Sequence, residues 1–458
     1  MAGKTRTPPR HMGLFELTAA GATFMAPAFS LAFIFPLIAG EGGAYAPVGV
    51  VLGALAAILV ALSFAEMSKY YTRAGGAYSM VSGEISPLAG FTAGWGLTIL
   101  YLVGPAIPLL LVVDSLVYLL SIPVAIVVPL TLGIALAVFT VNALGLRPST
   151  RIAFLFFLVE AVILLVVAAI LFTKPAVSAP VAGSPLGMVS AVGYAAVWTV
   201  FLFLGFESVT TFSEEAQVPL RDIGRGTVFA IGIASAIYLV CSLAFTRAVP
   251  VADWNLGFVG GLSGFIGPTG NTLLTLVVLT SSMGALIAVE NTCARLFFAM
   301  GRDRMLPPQL SVLLGRGNAP LLTLGVSAIV TAGLIAWFEG TTGSLAGPAD
   351  VIIGILPGML TLGALIAYFL VSVAALLRLR KEKRGPFLLV PLAGTLVTGA
   401  LIAIQFLPSS IFFSADTLVG VLVWFLIGAV LLLGSRRVFG QKARTPEEPQ
   451  VAVPPSVS

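Results

Sequence analysis

Twelve apolar runs order the chain, near residues 14–39, 47–68, 88–120, 123–143, 151–173, 188–212, 224–247, 270–299, 320–338, 351–377, 387–407 and 415–434. Short segments rich in Gly, Pro and Arg separate them. Crossing a hydrocarbon core takes about 20 mostly apolar residues per helix, and each run supplies a stretch of that order. A soluble helix or strand alternates apolar and polar faces, whereas residues 161–172 are apolar all round. The pattern predicts an all-α membrane domain over residues 13–438 with twelve transmembrane helices. It also predicts a cytoplasmic N-terminal segment at 1–12 and a Pro-rich, polar, disordered cytoplasmic tail at 439–458.

Two runs are interrupted. The first carries Gly21, Ala22, Met25, Ala26 and Pro27 in close succession, and the sixth reads Phe203, Leu204, Gly205, Phe206, Glu207, Ser208. Backbone that leaves a membrane helix is tolerated only where it lines a cavity or is buried in protein. Broken helices at corresponding places in two halves point to a binding site at mid-membrane depth. Runs 1 and 6 each begin a group of five, so the spacing predicts a 5+5 inverted repeat with discontinuous helices 1 and 6, followed by two extra helices.

Composition agrees with this solvent. Hydrophobic residues make up 58% of the 458 residues and charged residues 9%, against roughly 25% charged in soluble domains. With the N-terminus inside, every Lys and Arg except Lys174 and Arg247 falls on the cytoplasmic side or at a cytoplasmic helix end, as the positive-inside rule requires. The net charge of +5 therefore reports topology, and its scatter over the inner loops argues against nucleic acid as a partner. Cys241, Cys293 and His11 lie far apart in sequence, so neither a disulfide framework nor a metal site is expected. No cofactor motif is present.

Three local runs carry a family resemblance. Residues 72–95 contain Gly75, Gly76 and Tyr78 followed by Gly90, Phe91, Gly94 and Trp95. Residues 203–226 place Phe203, Gly205, Phe206 and Glu207 ahead of Glu214, Glu215, Pro219 and Arg221. Residues 290–307 place Asn291 and Arg295 ahead of Gly301, Arg302, Asp303, Leu306 and Pro307. In this order and spacing the chain resembles the amino acid, polyamine and organocation (APC) transporter superfamily, which implies a LeuT-type fold and no enzymatic activity. Two departures stand out. Ala74 replaces the family's Pro before Gly75, and Met25, Ala26 and Pro27 stand where the family commonly has a Gly-Ser-Gly-like triplet.

By that resemblance, amides at the start of the second half of helix 1 hold a substrate carboxylate, helped by the helix dipole. Pro27 has no amide hydrogen, leaving those of Ala28 and Phe29. The expected substrate site therefore comprises Gly21, Ala22, Met25, Ala26, Pro27, Ala28 and Phe29 with Phe203, Gly205, Phe206, Glu207 and Ser208. Ionisable residues inside membrane helices are costly and mark functional paths. Glu160, in the middle of helix 5, is the expected proton-coupling group, and Glu207 is the second. Glu207 is also placed to attract a substrate ammonium or to pair with a polar group on helix 1 or 10. Asp114 and Glu290, near helix ends, are read as snorkelling or structurally paired. Phe203 and Phe206 are candidates for an aromatic wall, Trp198 more remotely. Ser281 and Ser282, after Thr280, are alternative sodium ligands.

These features predict a secondary transporter in the plasma membrane that imports an amino acid or related amine by proton symport and alternating access. Rival readings are an exchanger or a carrier of a polyamine or other small organic cation and, from another class, a membrane sensor that binds solute without moving it. Neither a nucleophile beside a base, which an enzyme would need, nor the repeated filter-like segment of a channel is found. No residue pattern encodes an oligomeric state.

Overall fold

The computed structural model of the chain describes residues 12–144, 146–177, 184–313, 321–342, 355–406 and 415–439. All but the ends of the expected N-terminal segment and tail lie outside the described residues, as does the start of the tenth apolar run at 351–354. Regular structure among the described residues is helical, with one isolated bridge between Met12 and Ala216.

Proline and its companions set where the helices begin. Helix α1, Leu14–Met25, stops at Ala26, and α2, Pro27–Gly42, starts with Pro27. Pro27 lacks the amide that would continue the ladder, and its ring would press on the carbonyl four residues earlier. The chain turns at Ala26, whose φ of 41° and ψ of 74° are left-handed, a conformation rare for a residue with a Cβ. Helices α3 (Ala46–Met67), α4 (Ala77–Glu84) and α5 (Pro87–Thr98) follow. Ser86 caps α5, its Oγ accepting the Ala89 amide at 3.1 Å, with proline at the first helical position. A π-turn at Ile99–Val103 links α5 to α6, Ala106–Leu120. Next come α7 (Val127–Ala143) and α8 (Leu146–Phe172).

The same signals recur in the second half. Ser184 caps α9, Pro185–Leu202, by accepting the Gly187 amide at 3.1 Å. After α9 the chain passes through Gly205, at φ 108°, into a 3₁₀ segment, Phe206–Phe212. Proline opens α10, Pro219–Ala248. Helix α11, Gly257–Arg302, is kinked at Gly267, where φ is 66° just before Pro268. Four helices complete the chain: α12 (Leu321–Thr342), α13 (Leu356–Lys381), α14 (Leu389–Gln405) and α15 (Ala415–Phe439).

Eight helical segments among the described residues are long and apolar enough to cross a membrane, accompanied by the shorter apolar helices Val127–Ala143, Leu321–Leu334 and Leu389–Gln405. One large apolar core runs from α1 and α2 through α13 and takes in Leu401 of α14 and Val421 and Leu432 of α15. Outward faces are apolar too: Leu155, Leu158, Val162 and Val166 on α8 and Leu422, Leu426 and Val430 on α15 are exposed. Such faces need lipid as their solvent, so the chain is a multi-pass membrane protein. Its basic end is tied by ion pairs, described below.

Candidate functional site

The two irregular stretches lie side by side. α1 packs on the 3₁₀ segment and on α10, and α2 on α9 and α11. The contact is close: a Cβ on Gly21 would lie 2.6 Å from Val209, and one on Gly205 would lie 1.8 Å from the Phe24 ring. Glycine at 205 thus meets two demands, the positive φ and the aromatic ring against the backbone.

Backbone groups freed at the breaks find partners from distant helices. The Tyr238 hydroxyl on α10 lies 3.1 Å from the Met25 carbonyl and 2.7 Å from the Leu202 carbonyl, joining the C-terminal ends of α1 and α9. Ser30 Oγ also donates to Met25 O at 2.7 Å. On the donor side, the Ala28 amide donates to Glu160 Oε2 of α8 at 3.2 Å, and the Phe29 amide to Ser281 Oγ of α11 at 2.9 Å. The Ser281 hydroxyl also hydrogen-bonds the Glu160 carboxyl. The two amides expected to be open to a substrate carboxylate are therefore filled by the protein's own side chains. Sequence could not anticipate this, because Glu160 and Ala28 are 132 positions apart.

Glu207 is held just as fully. Its Oε1 accepts the Tyr101 hydroxyl at 2.7 Å, and its Oε2 accepts the Tyr368 hydroxyl at 2.6 Å and the Gly205 amide at 3.0 Å. Tyr101 lies in the π-turn and Tyr368 on α13. A buried carboxylate with three donors is stable where an unpaired one would be costly. Glu160 and Glu207 are each 1% exposed. Ser208 donates its amide to Gly205 O at 3.0 Å, while its hydroxyl and that of Ser282 are buried without a partner.

A small, almost wholly apolar cavity adjoins the two breaks through Phe24, Phe29, Ser30 and Leu204, with Leu100, Gly104, Phe201, Ala285 and Leu360 also in its lining, while the carboxyls of Glu160 and Glu207 are not. Gly21, Ala22, Met25, Ala26, Pro27 and Ala28 are buried behind it. Phe203 and Phe206 face elsewhere: Phe203 packs edge-on against Tyr238, with ring centroids 5.1 Å apart, and Phe206 against Phe64 and Tyr368. The aromatic wall of this cavity is instead Phe24, Phe29 and Phe201. Trp198 is buried in the core.

Two acids outside the site differ from each other. Asp114 is exposed on α6. Glu290 is 1% exposed, so it does not snorkel. Its Oε2 accepts Asn142 Nδ2 at 3.2 Å, and Asn142 in turn accepts Asn291 Nδ2 at 2.7 Å.

The three sequence runs that carry the family resemblance meet at the basic end. Arg73 pairs with Asp303 at 3.1 Å, Arg302 with Glu214 at 2.7 Å, and Arg295 with Glu215 at 2.6 Å. Tyr78 donates to Asp303 and the Ala74 amide to Glu214, each at 3.0 Å. Burial alone would push the Glu214 carboxyl up, but the Arg302 hydrogen bonds and charge outweigh it and hold Glu214 below its ordinary value. Among the described residues no group of three or more His, Cys, Asp or Glu is placed to hold a metal ion.

Comparison with known proteins assigns the chain. The branched-chain amino acid permease BcaP of Bacillus subtilis is 25% identical over 92% of this chain and 88% of its own length. The low-affinity putrescine importer PlaP of Escherichia coli K12 is 25% identical over 83% of this chain and 85% of its own. The crystal structure of the Eremococcus coleocola manganese transporter superposes with a TM-score of 0.57 at 14% identity, covering 95% of this chain and 96% of that one, which shows a shared fold. Residues 26–412 match the amino acid permease family, and the chain is a member of that family, a membrane permease and not an enzyme.

Proposed function

We propose that this permease is a secondary active transporter that imports a small amino acid or related amine across the plasma membrane by alternating access, with a proton as coupling ion. The observation that carries the reading is the pair of buried acids, Glu160 and Glu207, each hydrogen-bonded to the backbone at one break, with an apolar cavity lined by Phe24 and Phe29 of the first break and Leu204 of the second. Charge at that depth is costly, and irregular backbone there needs a cavity or a partner. A site that binds solute and changes protonation accounts for both.

The mechanism takes a LeuT-type architecture of twelve crossings. In this reading α1 with α2 is crossing 1, α3 crossing 2, α5 and α6 crossing 3 with α4 ahead of it, α7 crossing 4 and α8 crossing 5. α9 with the 3₁₀ segment forms crossing 6, α10 to α13 crossings 7 to 10, and α14 and α15 the last two. Some of the main helix contacts have a counterpart when a crossing is exchanged for the one five later. α8 on α11 (5 on 8) is matched by α13 on α5 (10 on 3), and α1 on α10 (1 on 7) by α3 on α9 (2 on 6). The break in crossing 1 is met by Glu160 of crossing 5, and that in crossing 6 by Tyr368 of crossing 10. Gathering of basic residues at one end supports cytoplasmic termini.

The test is uptake of labelled amino acids and amines into proteoliposomes under an inward proton gradient, with and without sodium. Saturable, sodium-independent uptake that follows the proton gradient is expected. Uptake that requires sodium would overturn proton coupling, and specific binding with no uptake would overturn transport in favour of a sensor.

A further inference from the structure

At the start of α2 the only donors a substrate carboxylate could use are the amides of Ala28 and Phe29, since Pro27 has none. Glu160 Oε2 accepts the first at 3.2 Å and Ser281 Oγ the second at 2.9 Å. A tethered carboxylate therefore already stands at the end of the helix whose dipole favours an anion. The Phe29 side chain lines the cavity, so the filled amides and the space for solute share one wall. A carboxylate entering that space would meet no free backbone donor at α2, since both amides are taken, and whenever Glu160 is ionised it would add a like charge at the same helix end. An ammonium meets the reverse: it needs no backbone donor, the Phe24, Phe29 and Phe201 rings line the cavity and aromatic faces attract cations, and the Glu160 carboxyl is held on the amide next to Phe29.

We infer that Glu160 is a built-in replacement for the substrate carboxylate, and that the solute carried is an amine with no carboxylate of its own. This rests on the transporter reading above and narrows its substrate class.

Matched pairs that differ by one carboxylate test it: isoamylamine against leucine, phenethylamine against phenylalanine, and putrescine against ornithine. Uptake of each into proteoliposomes of the full chain is measured, together with inhibition by the unlabelled partner. The expected result is that at least one amine is taken up and is preferred over its amino acid by about 100-fold or more, the order of discrimination polar mismatches produce. In Glu160→Ala the Ala28 amide is freed, so amine uptake falls at least tenfold and inhibition by the matched amino acid rises. Wild-type uptake of an amino acid at or above the rate of its amine overturns the inference and leaves the transporter reading standing. Uptake of no member of any pair overturns the transporter reading and this inference with it. The wild-type comparison stands even if Glu160→Ala does not fold.

Discussion

Glu160 and Ala28 are joined by a hydrogen bond of 3.2 Å between a buried carboxylate and a backbone amide 132 residues away. The bond ties α8 to the first turn of α2, just past the left-handed Ala26. Protonation of Glu160 weakens this tie, because a neutral acid accepts less strongly than a carboxylate. Under the proton-coupling proposal, a proton on Glu160 would loosen the junction that must move if α2 is to rock.

Replacing Glu160 with Gln keeps the shape and removes the proton. Accumulation driven by a proton gradient should fall more than tenfold in Glu160→Gln, while solute exchange between equal concentrations on both sides persists. Undiminished accumulation would end the coupling role.

Tyr101 and Tyr368 act on Glu207 together. Tyr101→Phe and Tyr368→Phe each remove one donor from a buried carboxylate, and each should cost about 1.5–3 kcal/mol. The double variant should not show the sum, because the remaining partners adjust within one network. Thermal unfolding of the four proteins in the same detergent gives the coupling directly.

Gly205→Ala should destabilise by several kcal/mol, for two reasons at one position. The residue sits at φ 108°, and a Cβ would enter the Phe24 ring; unfavourable backbone alone costs about 1–3 kcal/mol. Gly133→Ala on α7, where a Cβ would meet nothing within 4 Å, is the control. Its melting temperature should match or slightly exceed that of wild type.

At the basic end, pH gives a readout of the Glu214–Arg302 pair. Glu214 is held below its ordinary value, so its contribution is complete above the unfolded carboxylate pKa and is lost as pH falls through the lowered folded value. The melting-temperature gap between wild type and Glu214→Gln should be constant from about pH 8 to about pH 5 and should close in more acidic solution. A gap that widens on acidification would contradict the sign.

Much of this was legible because it is local. Pro27 and Gly205 mark where helix cannot continue, and the apolar runs mark the helices. Glu160 and Glu207 stand out because charge is rare in such runs. What sequence could not supply are the partners. Tyr101 and Tyr368 meet Glu207 across 106 and 161 residues, and tyrosine in an apolar helix has no periodic signature. Tyr238, which bridges the carbonyls of both breaks, is equally silent. Ser281 stands out in the sequence only as an alternative sodium ligand, and its bond to the Phe29 amide has no sequence signal. Snorkelling was one expectation for Glu290 from its place near a helix end, but Asn142 on α7 accompanies it inside the core.

Coupling is read most directly from uphill accumulation in proteoliposomes with a proton gradient as the only driving force. Wild-type protein should concentrate an amine above its external level and release it when a protonophore collapses the gradient. Uptake that merely equilibrates, or that ignores the protonophore, would contradict the account.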